Sequence, residues 1–288
     1  MISLLNAPLN KIFIDRLVEK ALDEDLGTGD ITTCCIVGPS GKPAAGNLVA
    51  RQGGILCGIR IFELTIRYLD SEAMFEGGLQ DSGEFKTGDT IRRVKGDAGA
   101  LLSAERVGLN FLQHLSGIAT LTSRYVKAIE GTQAKITDTR KTIPGLRLLE
   151  KYAVRCGGGS NHRFSLSDMV LIKDNHIAYA GGITEAVNLV RQSASHTLKI
   201  EVEVNGLNQV KEALDSQVDV IMLDNMNIGD MCSAVASIGG KALVEASGNI
   251  SLENVREVAE CGVDIISIGR LTHSAAVVDI SLDFETGA

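Results

Sequence analysis

The stretch KIEVEVNGLNQVKEALDSQVDVIMLD, residues 199–224, decides the fold. Residues 199–204 and 219–224 are short runs rich in β-branched and aliphatic residues, and each has a carboxylate at or near its end. Between them, Asn208 is a plausible N-cap for the amphipathic stretch QVKEAL. A strand, a helix and a second strand in this order form a βα repeat with parallel strands.

The same pattern extends in both directions through the second half of the chain. The predicted strands cover residues 134–139, 169–174, 199–204, 219–224, 242–247 and 264–269. Successive parallel βα units are typical of an α/β barrel, and six units are two short of the usual eight. We therefore expect an incomplete barrel, with one further strand that the pattern does not locate.

The pattern changes before residue 100. We expect helices at residues 13–27 and 59–69, a strand within residues 44–54, and a hairpin-like pair of strands within residues 84–99. A long helix at residues 98–117 has leucines along roughly one side and is expected to link this α+β module to the barrel.

Composition and charge restrict the class of protein. With 288 residues, 44% of them hydrophobic and 22% charged, the chain resembles an ordinary globular protein with a sizeable core. A formal net charge of −8 disfavours nucleic acid and anionic membrane as partners. No apolar run is long enough to cross a bilayer and no secretory signal is evident, so we expect a cytoplasmic protein. The six cysteines have no disulfide-like or zinc-like spacing, which favours reduced thiols.

Polar residues at the ends of the predicted strands are the candidates for chemistry, because barrel enzymes bind substrates at the carboxyl ends of their strands. In chain order these residues are Asp138, Arg140, Lys141, Lys173, Glu203, Asp224, Glu245, Ser247 and Gly269. Cations come from the early strands and carboxylates mainly from the later ones. This order predicts a positive sector, and an acidic sector for a divalent metal or sugar hydroxyls. The alternative is that such residues cap helices or form surface ion pairs.

Two short loops after the last strands suggest phosphate binding. Ser247-Gly248-Asn249 and Gly269-Arg270, the latter followed by His273, are small-residue loops that lead into predicted helices. Backbone N–H groups and helix N-termini bind phosphate at this position in many barrels. A simple glycine turn is the alternative for each loop.

The segment between the first two predicted strands adds further cations. Arg147, Lys151 and Arg155 are four residues apart, which by itself predicts a solvated helix face. The glycines at 157–159 end this helix and allow His162 and Arg163 to reach the barrel mouth. Two adjacent donors suit a carboxylate or phosphate. Together with Arg140, Lys141 and Lys173, they suggest a small polyanionic ligand.

At these residues the sequence strongly resembles the quinolinate phosphoribosyltransferase family. The similar segments are EDLGTGDITT (24–33), LLSAERVGLNFLQHLSGIAT (101–120), DTRKTIPGLRLLEKYAVRCGGGSNHR (138–163), LIKDNHI (171–177), EVEV (201–204), IMLDNM (221–226), EASGNI (245–250) and GRLTHSA (269–275). The resemblance implies an N-terminal α/β sandwich module with its linking helix at residues 1–114. It also implies an incomplete, seven-stranded α/β barrel at residues 115–288, whose last residues could pack back on the module. The implied assembly is a homodimer with active sites shared between subunits, with a hexamer as the alternative.

The resemblance implies transfer of the phosphoribosyl group of phosphoribosyl pyrophosphate to quinolinate. The products would be nicotinate mononucleotide, pyrophosphate and CO2, with Mg²⁺ as cofactor, in NAD biosynthesis. By this resemblance, quinolinate is bound by Arg106 of the partner subunit and by Arg140, His162 and Arg163. Lys141 and Lys173 are implied to contact the ring and pyrophosphate, and Glu203 and Asp224 to contact the ribose and Mg²⁺. The residues implied to bind the 5-phosphate are Ser247, Gly248, Asn249, Gly269, Arg270 and His273. Thr139 belongs to the implied substrate-binding set, and Lys141, Lys173, Glu203 and Asp224 to the implied catalytic set.

Two departures from the family pattern affect proposed ligand loops. Phe164-Ser165 stands where a more glycine-like stretch is expected, and Asn249 stands where a second glycine is common. A related group of pyrophosphorylases associated with molybdate transport shares parts of these motifs, but the intact segments at 146–163 and 171–177 disfavour it. Two rival functions are an aldolase with Lys173 as a Schiff-base lysine, and a metabolite-binding protein without catalysis.

Overall fold

The computed structural model describes residues 11–38 and 42–285. Its chain forms two compact units. The first unit contains Met1–Leu121, Leu148–Gly158 and Ser274–Ala288, and the second contains Thr122–Arg147 and Gly159–His273. Two later segments belong with the N-terminal part: Ser274–Ala288, the end of the chain that the resemblance implied could pack back on the module, and Leu148–Gly158, for which no such expectation was made.

The first part of the chain alternates between helices and antiparallel strands. Its elements are α1 (Lys11–Leu26), α2 (Ile31–Val37), β1 (Pro43–Ala50), β2 (Gly54–Ile55), α3 (Ile59–Leu69), β3 (Met74–Glu76), β4 (Glu84–Phe85), β5 (Thr90–Asp97) and α4 (Ala98–Ala128). The predicted helices and the first strand are confirmed, and α4 extends well beyond its expected end at residue 117.

The remainder of the chain is mainly a series of parallel βα units. Its elements are β6 (Lys135–Thr137), α5 (Arg147–Cys156), β7 (Val170–Ile172), α6 (Asp174–Ala180), α7 (Ile183–Ser193), β8 (Ile200–Val204), α8 (Leu207–Asp215), β9 (Val220–Asp224), α9 (Ile228–Ile238), β10 (Leu243–Ser247), α10 (Val255–Glu260), β11 (Ile265–Ser267), α11 (Arg270–His273) and β12 (Ile280–Phe284). All six predicted strands of the barrel are confirmed.

The first unit contains an antiparallel sheet with the order β12-β1-β5-β3. The hairpin predicted within residues 84–99 is wrong in its pairing, because β4 pairs with β2 whereas β5 lies between β1 and β3. A turn does form between Lys86 and Asp89, with a hydrogen bond of 3.1 Å. The eight-residue strands β1 and β5 form a much longer ladder than two-residue β4 could offer.

The second unit contains a parallel sheet with the order β6-β11-β10-β9-β8-β7. This sheet and its intervening helices form the incomplete α/β barrel, and the antiparallel sheet belongs to the separate N-terminal module. An isolated parallel bridge joins Thr137 in β6 to Ser160. The seventh strand implied by the resemblance is therefore represented, in the described residues, by this single bridge.

Strand register brings the polar residues onto one face of the barrel sheet. Along β8, Glu201 and Glu203 alternate with Ile200, Val202 and Val204, so the two glutamates share a face. Pairing of Glu203 with Met222 puts Asp224, two residues further along β9, on that face as well. The carboxyl ends of these strands therefore carry the acidic residues side by side.

Helix α5 corrects one sequence-based interpretation. Residues Glu150 and Lys151 are fully buried, so the solvated face predicted from Arg147, Lys151 and Arg155 is wrong. The imidazole Nε2 of His114 lies 2.9 Å from a carboxylate oxygen of Glu150. A buried charge requires such a partner, and spacing along one helix cannot reveal a partner on another helix.

A disulfide bond corrects a second sequence-based interpretation. Cys232 in α9 and Cys261 after α10 are bonded, whereas Cys34, Cys35, Cys57 and Cys156 are free. The expectation of six reduced thiols is therefore wrong for one pair, because packing of neighbouring helices brings together cysteines that are 29 residues apart. Among the residues described, no helix has the length and apolar character needed to span a membrane.

Candidate active site

The barrel unit contains most of the residues predicted to bind or react. They follow the carboxyl ends of the parallel strands, and Arg106 is the exception because it is exposed on α4 in the first unit. One direct contact among them is an ion pair between Lys173, directly after β7, and Glu203 on β8. Register explains this pair, since Ile172 faces Val202 and the next residues therefore face one another.

Lys173 has a fixed backbone as well as a fixed side chain. Its N–H donates to Nδ1 of His176 at 3.0 Å, which orients the start of α6. The Glu203 carboxylate, whose side chain is only 15% exposed, occupies the side-chain nitrogen of Lys173. A Schiff-base lysine needs a neutral amine, so this contact weakens the aldolase alternative.

Two arginines of the site, Arg140 and Arg163, lie close enough for the charge of one to act on the other, and the carboxylates of Glu201 and Asp168 offset this only in part. Burial lowers the pKa of Arg163, and the neighbouring positive charge of Arg140 lowers it further. The Nε of Arg140 is buried and has no hydrogen-bond partner. Within residues 11–38 and 42–285, neither guanidinium forms an ion pair. A bound anion would supply both the missing charge and the missing acceptor.

The loops that carry these arginines are held together by Arg147. Its guanidinium donates to Thr142 Oγ1 at 3.0 Å and to the carbonyl oxygen of Phe164 at 2.9 Å. The Phe164 N–H in turn donates to the Asp168 carboxylate at 2.7 Å, and so does the Ser165 N–H at 3.1 Å. The unexpected Phe164-Ser165 pair thus forms an ordered turn, because Asp168 accepts both N–H groups.

His162 lies over two buried glutamates. Its Nε2 is 3.2 Å from a carboxylate oxygen of Glu201 and 3.3 Å from one of Glu245, and these glutamates are 0% and 1% exposed. On the other side of the ring, Nδ1 accepts a hydrogen bond of 2.8 Å from the N–H of Arg163. Both ring nitrogens therefore have neighbours within the protein. We call His162, Glu201 and Glu245 the buried triad.

Within the buried triad, the pKa values of His162 and Glu201 are both raised. Burial by itself would lower the pKa of His162, but the two carboxylates raise it to about 10. Burial also raises the pKa of Glu201, against the effect of His162 and reinforced by Glu245. A charged imidazole with two carboxylates and a neutral imidazole with one protonated carboxyl have the same net charge of −1. Because Nδ1 accepts from Arg163, the geometry favours the second arrangement.

The loop after β10 is organised by two asparagines. Asn225 donates to the Asp224 carboxylate at 2.7 Å and accepts from the side-chain amide of Asn249 at 2.9 Å. Asn249 has a φ of 51°, a left-handed conformation that asparagine tolerates, so it can occupy a position where glycine is common. Gly248, which directly precedes Asn249, has a φ of 86°, and a Cβ added to Gly248 would lie 2.2 Å from Asn225 Oδ1.

A second loop brings Lys141 beside Gly269 and His273. A Cβ at Gly269 would lie 2.9 Å from Lys141 Cδ and 3.3 Å from His273 Nε2. The hydroxyl of Thr272 donates to the Lys141 carbonyl oxygen at 2.7 Å. Lys141, Arg270 and His273 are all exposed.

The sequence did not identify every member of this site. Glu201 had no predicted role, and Glu245 was only noted as a strand-end residue. The available signal was the alternation in EVEV, which puts Glu201 on the same face as Glu203. Asn225 was also missed, although its position directly after Asp224 on a predicted strand end was visible.

Comparison with known proteins shows the family to which the chain is similar. Residues 30–116 match the family described as quinolinate phosphoribosyl transferase, N-terminal domain, and residues 118–283 match its C-terminal domain. The chain is 43% identical to a probable carboxylating nicotinate-nucleotide pyrophosphorylase of Bacillus subtilis, with 96% of this chain and 94% of that protein covered. It is 40% identical to the decarboxylating quinolinate phosphoribosyltransferase 1 of Nicotiana glauca, with 94% and 82% covered. The crystal structure of NadC from Streptococcus pyogenes is similar with a TM-score of 0.93 and 41% identity, covering 96% of this chain and 98% of that one.

Proposed function

The chain belongs to the quinolinate phosphoribosyl transferase family, and we propose that it transfers the phosphoribosyl group of phosphoribosyl pyrophosphate to quinolinate in NAD biosynthesis. The products are nicotinate mononucleotide, pyrophosphate and CO2. The observation that carries this proposal is the pair of neighbouring arginines, Arg140 and Arg163: burial and the charge of Arg140 lower the pKa of Arg163, and the buried Nε of Arg140 has no hydrogen-bond partner in the described residues. A ligand with two adjacent carboxylates would give each arginine its own anion.

The remaining cations and acids fit the second substrate. Lys141, Arg270 and His273 are exposed donors near a small-residue loop and suit a phosphate, and the Ser247-Gly248-Asn249 loop suits the 5-phosphate. Glu203 and Asp224 share a sheet face and suit ribose hydroxyls. Thr139 accepts from the Lys141 N–H at 3.0 Å and so stabilises the turn that carries the cations.

The proposed reaction needs charge stabilisation more than a covalent nucleophile. The quinolinate ring nitrogen attacks the anomeric carbon, and the bond from that carbon to the pyrophosphate oxygen breaks with its electrons leaving on pyrophosphate. Carboxylates near the ribose favour the positive charge of the transition state, and Lys141 and Lys173 favour the leaving group. The ring is then cationic, so the bond from C2 to its carboxylate breaks, CO2 leaves, and C2 keeps the electron pair and takes up a proton.

Magnesium is part of the proposal. Glu203 and Asp224 supply the hard carboxylate oxygens that Mg²⁺ prefers. Each carboxylate already has a partner, the Lys173 ammonium or the Asn225 amide, which fits an ion held indirectly through substrate oxygens rather than in an all-protein cage. When bound with pyrophosphate, the ion would neutralise charge on the leaving group.

We also propose a homodimer with shared active sites and a cytoplasmic location. Arg106, exposed on α4, would reach the quinolinate site of the partner subunit. Mixing Arg106→Ala with Arg163→Gln subunits tests this, because each heterodimer has one site with both changes and one with neither. Recovery of activity on mixing supports sharing, and no recovery with proven subunit exchange contradicts it.

The first experiment is an end-point assay with purified protein, Mg²⁺, phosphoribosyl pyrophosphate and either quinolinate or nicotinate. Formation of the mononucleotide and CO2 from quinolinate alone supports the proposal, because only that substrate has the second carboxylate. Turnover of nicotinate in preference to quinolinate would refute it. Binding of both substrates without turnover would favour a metabolite-binding protein, and a borohydride-trapped adduct on Lys173 would favour an aldolase.

A further inference from the structure

The buried triad carries two glutamates that the proposed reaction does not use. Glu201 and Glu245 come from β8 and β10, and they are fully buried on the inner side of the barrel sheet. Both oxygens of Glu201 and one of Glu245 have no hydrogen-bond partner. A buried ion pair is often no more stabilising than apolar residues of similar volume. The stability of the barrel therefore gives little reason for two acids at this depth.

What the glutamates contact is the His162 ring, and the ring contacts the Arg163 backbone. The Arg163 N–H donates to Nδ1 at 2.8 Å, while Nε2 is directed between the two carboxylates. Asp138, fully buried at the end of β6, fixes the same segment by accepting from the His162 N–H at 2.9 Å. Contacts therefore run from the two glutamates through the His162 ring to the backbone of Arg163.

A metal ion does not explain the triad. Three such side chains could surround a divalent cation, with ligand atoms within 4.8 Å of one another. A histidine binds a metal through an unprotonated nitrogen, however, and Nδ1 already accepts a hydrogen bond. The ring proton is then on Nε2, the atom that would have to bind the metal.

We propose that Glu201 and Glu245 are positioning residues that orient the His162 ring and, through it, hold Arg163 where it meets one carboxylate of the substrate. This inference rests on the proposed function. It makes the glutamates determinants of specificity for the dicarboxylate ring, although they do not touch it. We expect their effect to fall mainly on quinolinate, because their side chains contact His162, whereas the phosphate loops have hydrogen bonds of their own from Asn249 to Asn225 and from Thr272 to Lys141.

The test uses leucine and glutamine at each position. Leucine removes the carboxylate that lies beside Nε2 of His162 but fills the volume, whereas glutamine keeps an oxygen at that position. We expect Glu201→Leu and Glu245→Leu to raise the KM for quinolinate by about tenfold or more, as for loss of one charge-assisted contact. The KM for phosphoribosyl pyrophosphate should change by less than about twofold, and the glutamine variants should stay within about threefold of the parent protein for both substrates. Glu257→Gln, an exposed glutamate on α10, is the matched control.

Two further measurements separate positioning from structural damage. The melting temperature of each leucine variant should stay within a few degrees of the parent value, because the remaining carboxylate still pairs with the His162 ring and the repulsion between the two acids is removed. In a His162→Asn background, Glu201→Leu should raise the quinolinate KM by clearly less than it does in the parent protein, since its contact passes through the ring and only its more distant charge acts on Arg163 directly. An additive loss, or an equal loss for both substrates, would overturn the inference.

The outcome also separates this inference from the proposed function. No turnover of quinolinate by the parent protein refutes the function itself, whereas turnover with unchanged KM in the leucine variants refutes only the positioning role. The unliganded protein provides an independent check through the ¹⁵N signals of the His162 ring. These signals should indicate a proton on Nε2 in the parent protein and should change in Glu201→Leu. Identical ring signals in both proteins, or a metal bound to Nε2, would contradict the inference.

Discussion

Replacement of Arg163 by glutamine should separate substrate binding from stability. In the structure, the guanidinium donates one hydrogen bond of 3.1 Å to the Met169 carbonyl oxygen and lies close enough to Arg140 to be affected by its charge. Loss of one charge-assisted contact to a carboxylate costs about 1.5–3 kcal/mol. Since about 1.4 kcal/mol corresponds to a factor of ten, the Kd for quinolinate should rise by roughly 10- to 150-fold.

The same substitution should leave the fold almost unchanged in stability. The lost hydrogen bond to Met169 is worth about 1 kcal/mol, and relief of repulsion between two arginines offsets it. For a protein of this size, 1 kcal/mol shifts the melting temperature by only about 2–4 °C. The melting temperature of Arg163→Gln should therefore lie within about 3 °C of the parent value, in either direction.

The assay combines titration calorimetry for quinolinate, initial rates with each substrate varied, and thermal denaturation. Arg256→Gln is a suitable control, because Arg256 is exposed in the same unit and pairs only with Glu260 at 2.6 Å and a backbone carbonyl. It should change neither affinity. Equal weakening of quinolinate and phosphoribosyl pyrophosphate binding would refute the argument, and so would a fall in melting temperature well beyond that range.

Three other predictions test separate parts of the structure. Gly248→Ala should raise the KM for phosphoribosyl pyrophosphate by roughly tenfold and leave the KM for quinolinate unchanged. The reason is that the new Cβ meets Asn225 and that the backbone at residue 248 has a positive φ. Equal changes in the two KM values in steady-state kinetics would contradict this prediction. Hydrogen bonds from Arg93 lower the pKa of Glu285 from its usual 4.5, so the stability that this pair adds is present above that pH and is lost as the pH falls through the lowered value. Glu285→Gln should consequently flatten the acid side of the stability profile measured by chemical denaturation, and an unchanged profile would count against the pair. Thiol titration of the unfolded, unreduced protein should find four reactive cysteines rather than six if the Cys232–Cys261 disulfide forms in solution.

Residues whose role depends on local periodicity could be predicted from the sequence. The strand runs and the polar residues at their ends follow from alternation and spacing, which is why the barrel strands were found and why Glu203 and Asp224 were expected on one face. The chain order of the cations likewise predicted an anion site. These features are encoded within a few residues of each other.

Features that depend on distant partners could not be predicted. The role of Glu201 depends on His162, which precedes it by 39 positions and contacts it only in the folded barrel. The pairing of β5 with β1 and β3, rather than with β4, depends on strand lengths across the whole sheet. Burial of Lys151 and the Cys232–Cys261 bond likewise result from packing between separate helices.

The length of strand β8 sets the positions of two contacts in the site. Its five residues present Glu201 to the His162 ring and Glu203 to Lys173, and these are separated by a single valine. An insertion or deletion of one residue in this strand would turn a glutamate away and present a valine in its place. A point substitution can change either of these two contacts separately. A change in the length of the strand would disrupt both contacts together.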